Sequence, residues 1–462
     1  MNSESNVTLT TQISAVSIFA AALLSLLEVL TGQAQWAVAA MVLVGVYVVL
    51  GLPRTGLAAR LMLGAAVAAT VAYILLGRPI DALAGIASRA AYLPALITVL
   101  LPLRISAMGS AMVEQAGHFV VHQPPSRRFA LLATGGHVFG VLLNIGGLLL
   151  LMHVALRGPM ATPEDRIAQI QIRRISNAVL RGFGANLFWS PLGLGLNMLL
   201  TIVPALNWTE FLPYGLAASV MFIGLGWLFD RMQSPSRKDA LPKGSAGHPW
   251  GLLGLLVVLG AISGGAAVLE TAFGLPLRGA ILIIVPVFAI GWAIISRPVE
   301  FTLPQAVGGL CRQAVAQAPA SVNEVSIIAS AGYLGLVVAQ LIPTEAVAQF
   351  ALLTGLEGPR LASLLSLTIF ATSVIGLNPM IAATVSVSAI VSAGIEIAPN
   401  LLVLSTLTGW ALALIVSPAT STVAIASSAA HQPPSVIGMK WNGPFCLGVL
   451  AVASLGYFAI WS

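Results

Sequence analysis

Two stretches of the sequence decide the fold, GFGANLFWSPLGLG (182–195) and ALALIVSPATSTV (411–423). Each places a Ser-Pro pair in the middle of a long apolar run. Because proline removes a backbone donor and clashes with the preceding turn, each pair predicts a broken helix. In hydrocarbon a freed carbonyl costs several kcal/mol unless protein or a water-lined cavity satisfies it. The two breaks therefore indicate a polar site at mid-membrane depth.

The composition around these stretches is that of a membrane protein. The chain has 462 residues, of which 58% are hydrophobic and 8% charged, whereas soluble domains carry about 25% charged residues. A soluble enzyme, a disordered chain and a nucleic-acid-binding protein are excluded. Since a membrane helix needs about 20 apolar residues and the apolar runs are long and continuous, we predict an all-α polytopic membrane protein. The net charge of +6 is attributed to Lys and Arg on cytoplasmic loops.

The chain divides into two similar halves. We predict an N-terminal tail at 1–12, a first membrane repeat at 13–229, a cytoplasmic linker at 230–249 and a second repeat at 250–462. The paired segments occur in the same order: LEVLTG (27–32) with LETAFG (269–274), AYLPALITVLLP (91–102) with GYLGLVVAQLIP (332–343), and GFGANLFWSP (182–191) with GWALALIVSP (409–418). Duplicated membrane proteins are most often transporters, and the two copies would be inverted if each half crosses the membrane an odd number of times.

The breaks carry the candidate binding groups. Half-helix N-termini present free N–H groups and a positive dipole end to an oxyanion. Carbonyl, hydroxyl and amide oxygens at the opposing ends suit Na⁺. Ordinary kinking and tight helix packing are the structural alternative. The candidates at the breaks are Asn186, Ser190, Ser417, Thr420, Ser421 and Thr422.

A second matched pair is formed by Asn144 and Asn378. The Asn-Pro pair at 378–379 interrupts the apolar run 361–394, which is too long for one straight span. This run is expected to contain a discontinuous helix or a re-entrant turn. Both asparagines are candidates for the site, and an interhelical hydrogen bond is the alternative.

Two further regions suit re-entrant hairpins. In 83–122 an apolar arm ends at Pro102, and in the second half an arm after Asn323-Glu324 ends at Pro343. Arms too short to cross, joined at a proline, favour a hairpin. A full span followed by a surface helix is the alternative.

Ionisable residues inside apolar runs are costly and usually functional. Glu324 is a candidate proton carrier, and His137 is a candidate for proton coupling or substrate contact. A buried, hydrogen-bonded histidine is the structural alternative for His137. Glu28 and Glu270 lie near span ends, where snorkelling or capping is the preferred interpretation.

No nucleophile, metal or nucleotide motif occurs in the sequence. The two cysteines, Cys311 and Cys446, predict neither a disulfide framework nor a metal site. We therefore expect no enzymatic activity, no metal centre and no cofactor, with Na⁺ only as a candidate coupling ion. The energy for transport would come from an ion gradient.

The chain resembles the ion transporter superfamily, which includes the divalent anion/sodium symporters, arsenite and sodium/proton antiporters and large subunits of tripartite transporters. GANLFWSPLG (184–193) is similar to the glycine-asparagine-proline break of the antiporter branch, and GLNPMIAA (376–383) to an asparagine-proline break of the symporter branch. The Ser-Asn-Thr signature of the divalent anion branch is absent at both breaks. The resemblance implies inverted repeats, a homodimer and a mobile transport domain moving against a scaffold.

Three functions remain open from the sequence. The leading hypothesis is a secondary active transporter that couples a small organic anion to Na⁺ or H⁺ by an elevator mechanism. The second is a cation/proton antiporter that uses Glu324, and the third is a non-transporting membrane component. The expected partners are a small anionic solute and membrane lipid, not nucleic acid, and the expected location is a bacterial cytoplasmic membrane crossed many times.

Overall fold

The computed structural model describes residues 9–156, 166–233 and 247–461. Within these ranges the chain forms twenty α-helices with short 3-10 and π-helical turns, and no β-strand. Ten helical segments there are long and apolar enough to cross a membrane. The predicted class, an all-α polytopic membrane protein, is confirmed.

The helices are numbered in chain order. The first ten are α1 (Leu9–Thr31), α2 (Ala34–Gly51), α3 (Leu57–Leu75), α4 (Ala82–Met108), α5 (Ala111–Val121), α6 (Pro125–Leu143), α7 (Ile145–Leu156), α8 (Arg166–Ala185), α9 (Leu194–Ile202) and α10 (Trp208–Gln233). The others are α11 (Trp250–Phe273), α12 (Leu277–Ile295), α13 (Leu303–Gln317), α14 (Val322–Leu341), α15 (Thr344–Thr354), α16 (Gly358–Val374), α17 (Pro379–Ser392), α18 (Pro399–Val416), α19 (Ser421–Ala430) and α20 (Gly443–Trp461).

The chain folds into two compact units. Unit 1 comprises Met1–Gly109 and Gly265–Val347, and unit 2 comprises Ser110–Gly264 and Ala348–Ser462. Unit 1 contains α1 to α4 and α12 to α14, and unit 2 contains α5 to α10 and α16 to α20; the boundaries fall within α11 and α15. Each unit therefore takes segments from both halves of the sequence.

The predicted tail (1–12) and linker (230–249) lie mostly outside the described residues. At their edges α1 already begins at Leu9, α10 continues to Gln233 and α11 begins at Trp250. α1 therefore begins about one turn before the end of the predicted tail, and α10 ends about one turn inside the predicted linker. Helix ends commonly extend by a few residues beyond the apolar run.

Unit 1 packs around α4. This helix contacts α1, α2, α12 and α14, and Ser106 Oγ donates a 2.9 Å hydrogen bond to the carbonyl of Ala289 on α12. Glu28 pairs with Arg278 at 3.3 Å and accepts a 2.9 Å hydrogen bond from Ser88 Oγ. Glu28 is thus held by partners inside unit 1, which agrees with the structural interpretation of this carboxylate.

The re-entrant hairpin expected at Pro102 is wrong. α4 runs unbroken for 27 residues through Pro94 and Pro102, about 40 Å at 1.5 Å per residue, which exceeds the thickness of a bilayer core. α14 likewise runs 20 residues before Pro343, and the 11-residue α15 follows. The alternative, a full span followed by a short helix, describes both regions: Pro94 and Pro102 lie inside α4 without interrupting it, and Pro343 lies between α14 and α15.

The hairpins lie instead in unit 2, at the two asparagines. α6 and α7 reverse at Asn144, so that Gly147 lies against the carbonyl of Phe139, although eight residues of a continuous helix would separate them by about 12 Å. α16 and α17 reverse between Val374 and Pro379. α7 and α17, with 12 and 14 residues, span about 18 and 21 Å, too short to cross a bilayer.

Unit 2 repeats one order of elements. A hairpin (α6 and α7) is followed by a broken helix (α8 and α9), and a second hairpin (α16 and α17) is followed by a second broken helix (α18 and α19). In each set the helix after a break packs on the short arm of the other hairpin, α9 on α17 and α19 on α7. Both breaks therefore belong to one packed assembly.

Glycines let α6 and α8 approach closely. A Cβ on Gly136 would lie 2.5 Å from the carbonyl oxygen of Val179, and a Cβ on Gly182 would lie 2.7 Å from the carbonyl carbon of Ala133. Small residues that allow two backbones to touch are the usual means of helix association in membranes. This contact fixes the first hairpin against the first broken helix.

We expect Gly182→Ala to lower the apparent melting temperature of the detergent-purified protein. The new methyl group would meet the backbone of Ala133, so one of the two helices must move, at a cost of about 1–3 kcal/mol.

Gly224→Ala on α10 is the matched control, since its Cβ would meet nothing within 4 Å. Alanine favours the helix over glycine, so this variant should melt at or slightly above the wild-type temperature. Equal melting temperatures for the two variants would contradict the close packing of α6 on α8.

Candidate functional site

The first break follows α8. A 3-10 turn, Asn186–Phe188, continues from Ala185, and residues 189–193 leave the helix before α9 begins at Leu194. Ser190 is fully buried and its Oγ accepts a 3.2 Å hydrogen bond from Leu192 N. The break therefore occurs at the Ser-Pro position where the sequence places it.

The carbonyls freed at this break are satisfied by side chains. Asn197 Nδ2 donates to the carbonyls of Pro191 and Gly193 at 2.6 and 2.9 Å. Ser219 Oγ donates to the carbonyl of Ala185 at 3.0 Å, and Trp208 Nε1 donates to the carbonyl of Trp189 at 2.9 Å. Because buried backbone groups without partners are costly, these bonds stabilise the interrupted conformation.

Asn186 lies between the first break and the first hairpin. Its Nδ2 is 2.7 Å from the position that a Cβ of Gly140 would occupy, one turn before Asn144. The side chain is 8% exposed, and its amide makes no hydrogen bond with any residue that the structure describes. A nearly buried amide with unused donors and acceptor is suited to a polar ligand.

His137 contacts the first break through Trp189. Trp189 Nε1 donates a 2.9 Å hydrogen bond to His137 Nε2, and the two rings are stacked with centroids 5.8 Å apart. Because an indole nitrogen can only donate, Nε2 is the acceptor, and the neutral ring carries its proton on Nδ1. The arrangement favours the structural interpretation of His137, which holds the break against α6.

The second break follows α18 and is lined by hydroxyl groups. α18 ends at Val416 and α19 begins at Ser421. Thr420 Oγ1 donates to the carbonyl of Ser417 at 2.8 Å, and Thr422 Oγ1 lies 3.1 Å from Thr420 Oγ1 and contacts the carbonyl of Leu414. Hydroxyl and carbonyl oxygens are therefore concentrated where the helix is open.

Hydrogen bonds tie the second break to the second hairpin. Ser417 Oγ donates a 2.5 Å hydrogen bond to the carbonyl of Ser373, at the end of α16. The hydroxyl of Ser373 is itself buried, with no hydrogen-bond partner among the residues described. Asn378 Oδ1 accepts from Met380 N at 2.9 Å and caps α17. Ser373 and Ser417 thus add two buried hydroxyls to the oxygen cluster.

The two breaks lie side by side in unit 2. A Cβ on Gly184, just before the first break, would lie 3.2 Å from Ile415 Cγ2 and 3.4 Å from the carbonyl of Ala411, just before the second. Beyond the first break, a Cβ on Gly195 would lie 3.3 Å from the ring of Trp410. The first break therefore packs against the last turns of α18, just before the second break.

Asn144 adopts a backbone conformation that favours glycine, with φ of 51° and ψ of −135°. Such a conformation is costly for a residue with a Cβ, and glycine would adopt it freely. The asparagine at the tip of the first hairpin therefore points to a role for its amide. The side chain is half-buried.

Two helix N-termini at the breaks lack side-chain caps. The N-cap residues of α9 and α19, Gly193 and Thr420, make no side-chain hydrogen bond to the first turn. The first N–H groups of these helices therefore have no capping side chain, whereas α17 is capped by Asn378. Open N-termini of this kind favour negatively charged groups.

One predicted residue belongs to a different compact unit from the others. Glu324 lies on α14 in unit 1, whereas the remaining candidates lie in unit 2. Ser421 is exposed at the first turn of α19. No group of three metal-ligating His, Cys, Asp or Glu side chains occurs in the ranges described.

Three polar residues of unit 2 receive no role from the sequence. Asn197 supports the first break, Ser373 adds a hydroxyl to the second, and Arg181 is buried on α8 with 1% exposure. Each was visible as a polar residue in an apolar run, but only the structure shows which carbonyl or ring it contacts.

No family model and no curated protein sequence matches this chain. Among solved structures, the crystal structure of the Alcanivorax borkumensis YdaH transporter is similar, with a TM-score of 0.47 and 17% sequence identity over 78% of this chain and 83% of that chain. A likeness at this level transfers neither a name nor a function.

We expect Asn197→Ala to destabilise the protein by about 1–3 kcal/mol, because the carbonyls of Pro191 and Gly193 lose a shared donor in a buried place. The apparent melting temperature in detergent measures this loss.

Thr201→Ala serves as the control, because Thr201 Oγ1 donates only within α9 itself, to the carbonyl and the sulfur of Met198. If Asn197→Ala melts at the temperature of Thr201→Ala, the amide does not support the break.

Proposed function

We propose that this chain is a secondary active transporter that carries a small organic anion together with Na⁺ or H⁺. The observation that carries the proposal is the packing of two interrupted helices against each other, beside two short-armed hairpins, within one compact unit. Interrupted helices expose backbone groups at the depth where a solute must be held, and membrane transporters use them for this purpose.

Three features of unit 2 support an anionic solute. The uncapped N-termini of α9 and α19 direct N–H groups and a positive dipole end into the breaks. The amide of Asn186 can donate two further hydrogen bonds and accept one. None of the candidate residues at either break carries a carboxylate. A small carboxylate would satisfy these donors.

The oxygen cluster of the second break supports a monovalent cation as the coupling ion, and we favour Na⁺. The hydroxyls of Ser417, Thr420 and Thr422 donate to the carbonyls of Ser373, Ser417 and Leu414, and the hydroxyl of Ser373 is buried without a hydrogen-bond partner among the described residues. Hard cations prefer such oxygen ligands. A bound Na⁺ would take over carbonyl lone pairs that now accept from hydroxyl protons.

The antiporter hypothesis receives less support. It needs a carboxylate that binds a cation or a proton at the transport site, and Glu324 lies on α14 of unit 1 rather than at the breaks. We therefore retain it only as the alternative that Glu324→Gln tests.

We extend the proposal to the transport mechanism, the relation of the two halves, the oligomeric state and the location. Unit 2 carries the solute in an elevator-type cycle and unit 1 is the scaffold. The two halves are inverted repeats of the ion transporter superfamily. The chain works as a homodimer in a bacterial cytoplasmic membrane, without a bound cofactor.

A thermal-shift screen tests the proposal. Detergent-purified protein is heated with sodium or choline salts of succinate, benzoate, taurine sulfonate and sulfate. Because a ligand that binds only the folded state raises the melting temperature by mass action, we expect at least one organic anion to raise it, and more strongly in Na⁺. Glu324→Gln should keep this response. No shift with any anion in either salt, or a response lost only in Glu324→Gln, would overturn the proposal.

Thr422→Val tests the cation cluster. Valine keeps the shape of threonine and removes the hydroxyl, so we expect the stabilisation by Na⁺ over choline to fall at least tenfold in apparent affinity, as for the loss of one buried ligand oxygen.

Thr406→Val is the matched control, because Thr406 lies fully buried on α18, the helix before the second break, and donates only to the carbonyl of Leu402. Equal Na⁺ responses in both variants would place the cation elsewhere.

A further inference from the structure

Arg181 is a buried charge close to the first break. It is 1% exposed on α8, and its guanidinium lies 4.2 Å from the ring centroid of Phe445. Nε donates to Asn442 Oδ1 at 3.0 Å, and Nη1 donates to the carbonyl of Gly226 at 3.1 Å. Nη2 is buried without a hydrogen-bond partner among the described residues.

All partners of Arg181 are neutral. They are an amide oxygen, a backbone carbonyl and an aromatic ring. Asp230, near the end of α10, forms an ion pair with Arg174, which donates hydrogen bonds to both carboxylate oxygens at 3.0 and 2.7 Å. Within the described ranges no carboxylate forms an ion pair with Arg181; Asp230, already paired with Arg174, acts on it only at longer range, so the positive charge of Arg181 is only partly compensated.

Such a charge is expensive for the fold. Burying a charge without a counter-charge costs several kcal/mol, and packed apolar side chains of similar volume generally stabilise a fold as well or better. Ionisable groups inside membrane proteins are therefore usually functional. A guanidinium without an ion-paired carboxylate, whose Nη2 makes no hydrogen bond, therefore indicates a function for the positive charge.

The position of Arg181 places its field at both breaks. Five residues of α8 separate it from Asn186, about 8 Å along the helix axis. Its partner Asn442 closes the π-helical turn Val436–Asn442, whose Gly438 lies against the carbonyl of Val416, immediately before the second break. The guanidinium is therefore within about two helical turns of either interruption.

We propose that Arg181 determines the charge selectivity of the unit 2 site: its incompletely compensated positive charge attracts an anion into the breaks and disfavours a cation there unless the anion is also bound, without contacting either ion. The inference rests on the proposed function in that it explains why this site takes an anion. At about 10 Å and an effective dielectric constant of about 20, one unit charge changes the local concentration of a monovalent ion on the order of tenfold.

Asn177 offers a way to cancel the charge while keeping the side chains in place. Its Oδ1 accepts a 3.1 Å hydrogen bond from Asn442 Nδ2, and the residue is buried. Asn177→Asp keeps this acceptor and adds a negative charge beside the Arg181 network. Arg181→Met removes the charge, and Arg181→Lys keeps it without the planar donors. Arg173→Met, on the same helix and bonded to Gln233, is the control for loss of a positive charge about 12 Å further along α8 from the first break.

The test measures the potential at the break directly. Ser421→Cys, in a Cys311→Ser background, provides an exposed thiol at the second break, while Cys446 is buried. Its rates of reaction with an anionic (sulfonatoethyl) and a cationic (trimethylammonioethyl) methanethiosulfonate are compared in low salt. The readout is the ratio of the two rates, which cancels changes in accessibility.

We expect the ratio of anionic to cationic rates to fall at least about fivefold, and at most about a hundredfold since the field acts oppositely on the two reagents, in Asn177→Asp and in Arg181→Met, and to persist in Arg181→Lys and Arg173→Met. An unchanged ratio in Asn177→Asp, with a wild-type melting temperature, overturns the inference even if Arg181→Met does not fold. An equal fall in Arg173→Met also overturns it.

Succinate and benzoate binding to the same variants separates this inference from the proposed function. If the wild type binds neither anion but the rate ratio depends on Arg181, the field is present and the proposed transport of organic anions fails. If both anions bind the wild type and Asn177→Asp equally well, the proposed function stands and the role of Arg181 fails.

Discussion

The structure depends on the requirement that backbone polar groups be satisfied away from water. Two helices of unit 2 stop in mid-course, and each interruption frees carbonyls that hydrocarbon could not accommodate. At the first break Asn197, Ser219 and Trp208 supply the missing donors, and at the second the hydroxyls of Ser417 and Thr420 do so. The surrounding helices are arranged so that these donors reach the open turns.

The two breaks are equivalent in layout but differ in chemistry. The first is supported by amide and indole donors and leaves the amide of Asn186 available. The second is lined by hydroxyls and leaves the Oγ of Ser373 buried without a partner among the described residues. Two breaks of the same layout therefore present different hydrogen-bonding groups within one unit.

The sequence predicts those parts of the fold that are determined locally. A proline inside an apolar run stops a helix through its own geometry, so both Ser-Pro breaks could be placed to within a few residues. Pro102 shows the limit of this reasoning, because the same residue type merely bends α4 when neighbouring helices pack around it. The reversal at Asn144 depends on contacts such as that of Gly147 with Phe139, which no local pattern encodes.

The candidate site was predictable to a similar extent. Hydroxyl and amide residues at the breaks could be selected because polar groups are rare in such runs. Arg181 and Ser373 could not be assigned a role, because the feature that distinguishes them is a missing partner. Arg181 has no ion-paired carboxylate, and the hydroxyl of Ser373 has no hydrogen-bond partner among the described residues. Whether an arginine meets a carboxylate or only neutral groups depends on helices more than 40 residues away in sequence, such as α10 and α20.

The π-helical turn before α20 carries a consequence for the way such chains can vary. A π-helical turn holds one residue more than an α-helical turn, and each helical residue advances the side chains by about 100°. The ring of Phe445 faces the guanidinium of Arg181 from the first turn of α20. Removing one residue from Val436–Asn442 would rotate the nineteen positions of α20 about the helix axis. The last helix is therefore sensitive to the length of this segment, in addition to the identities of Gly438 and Asn442.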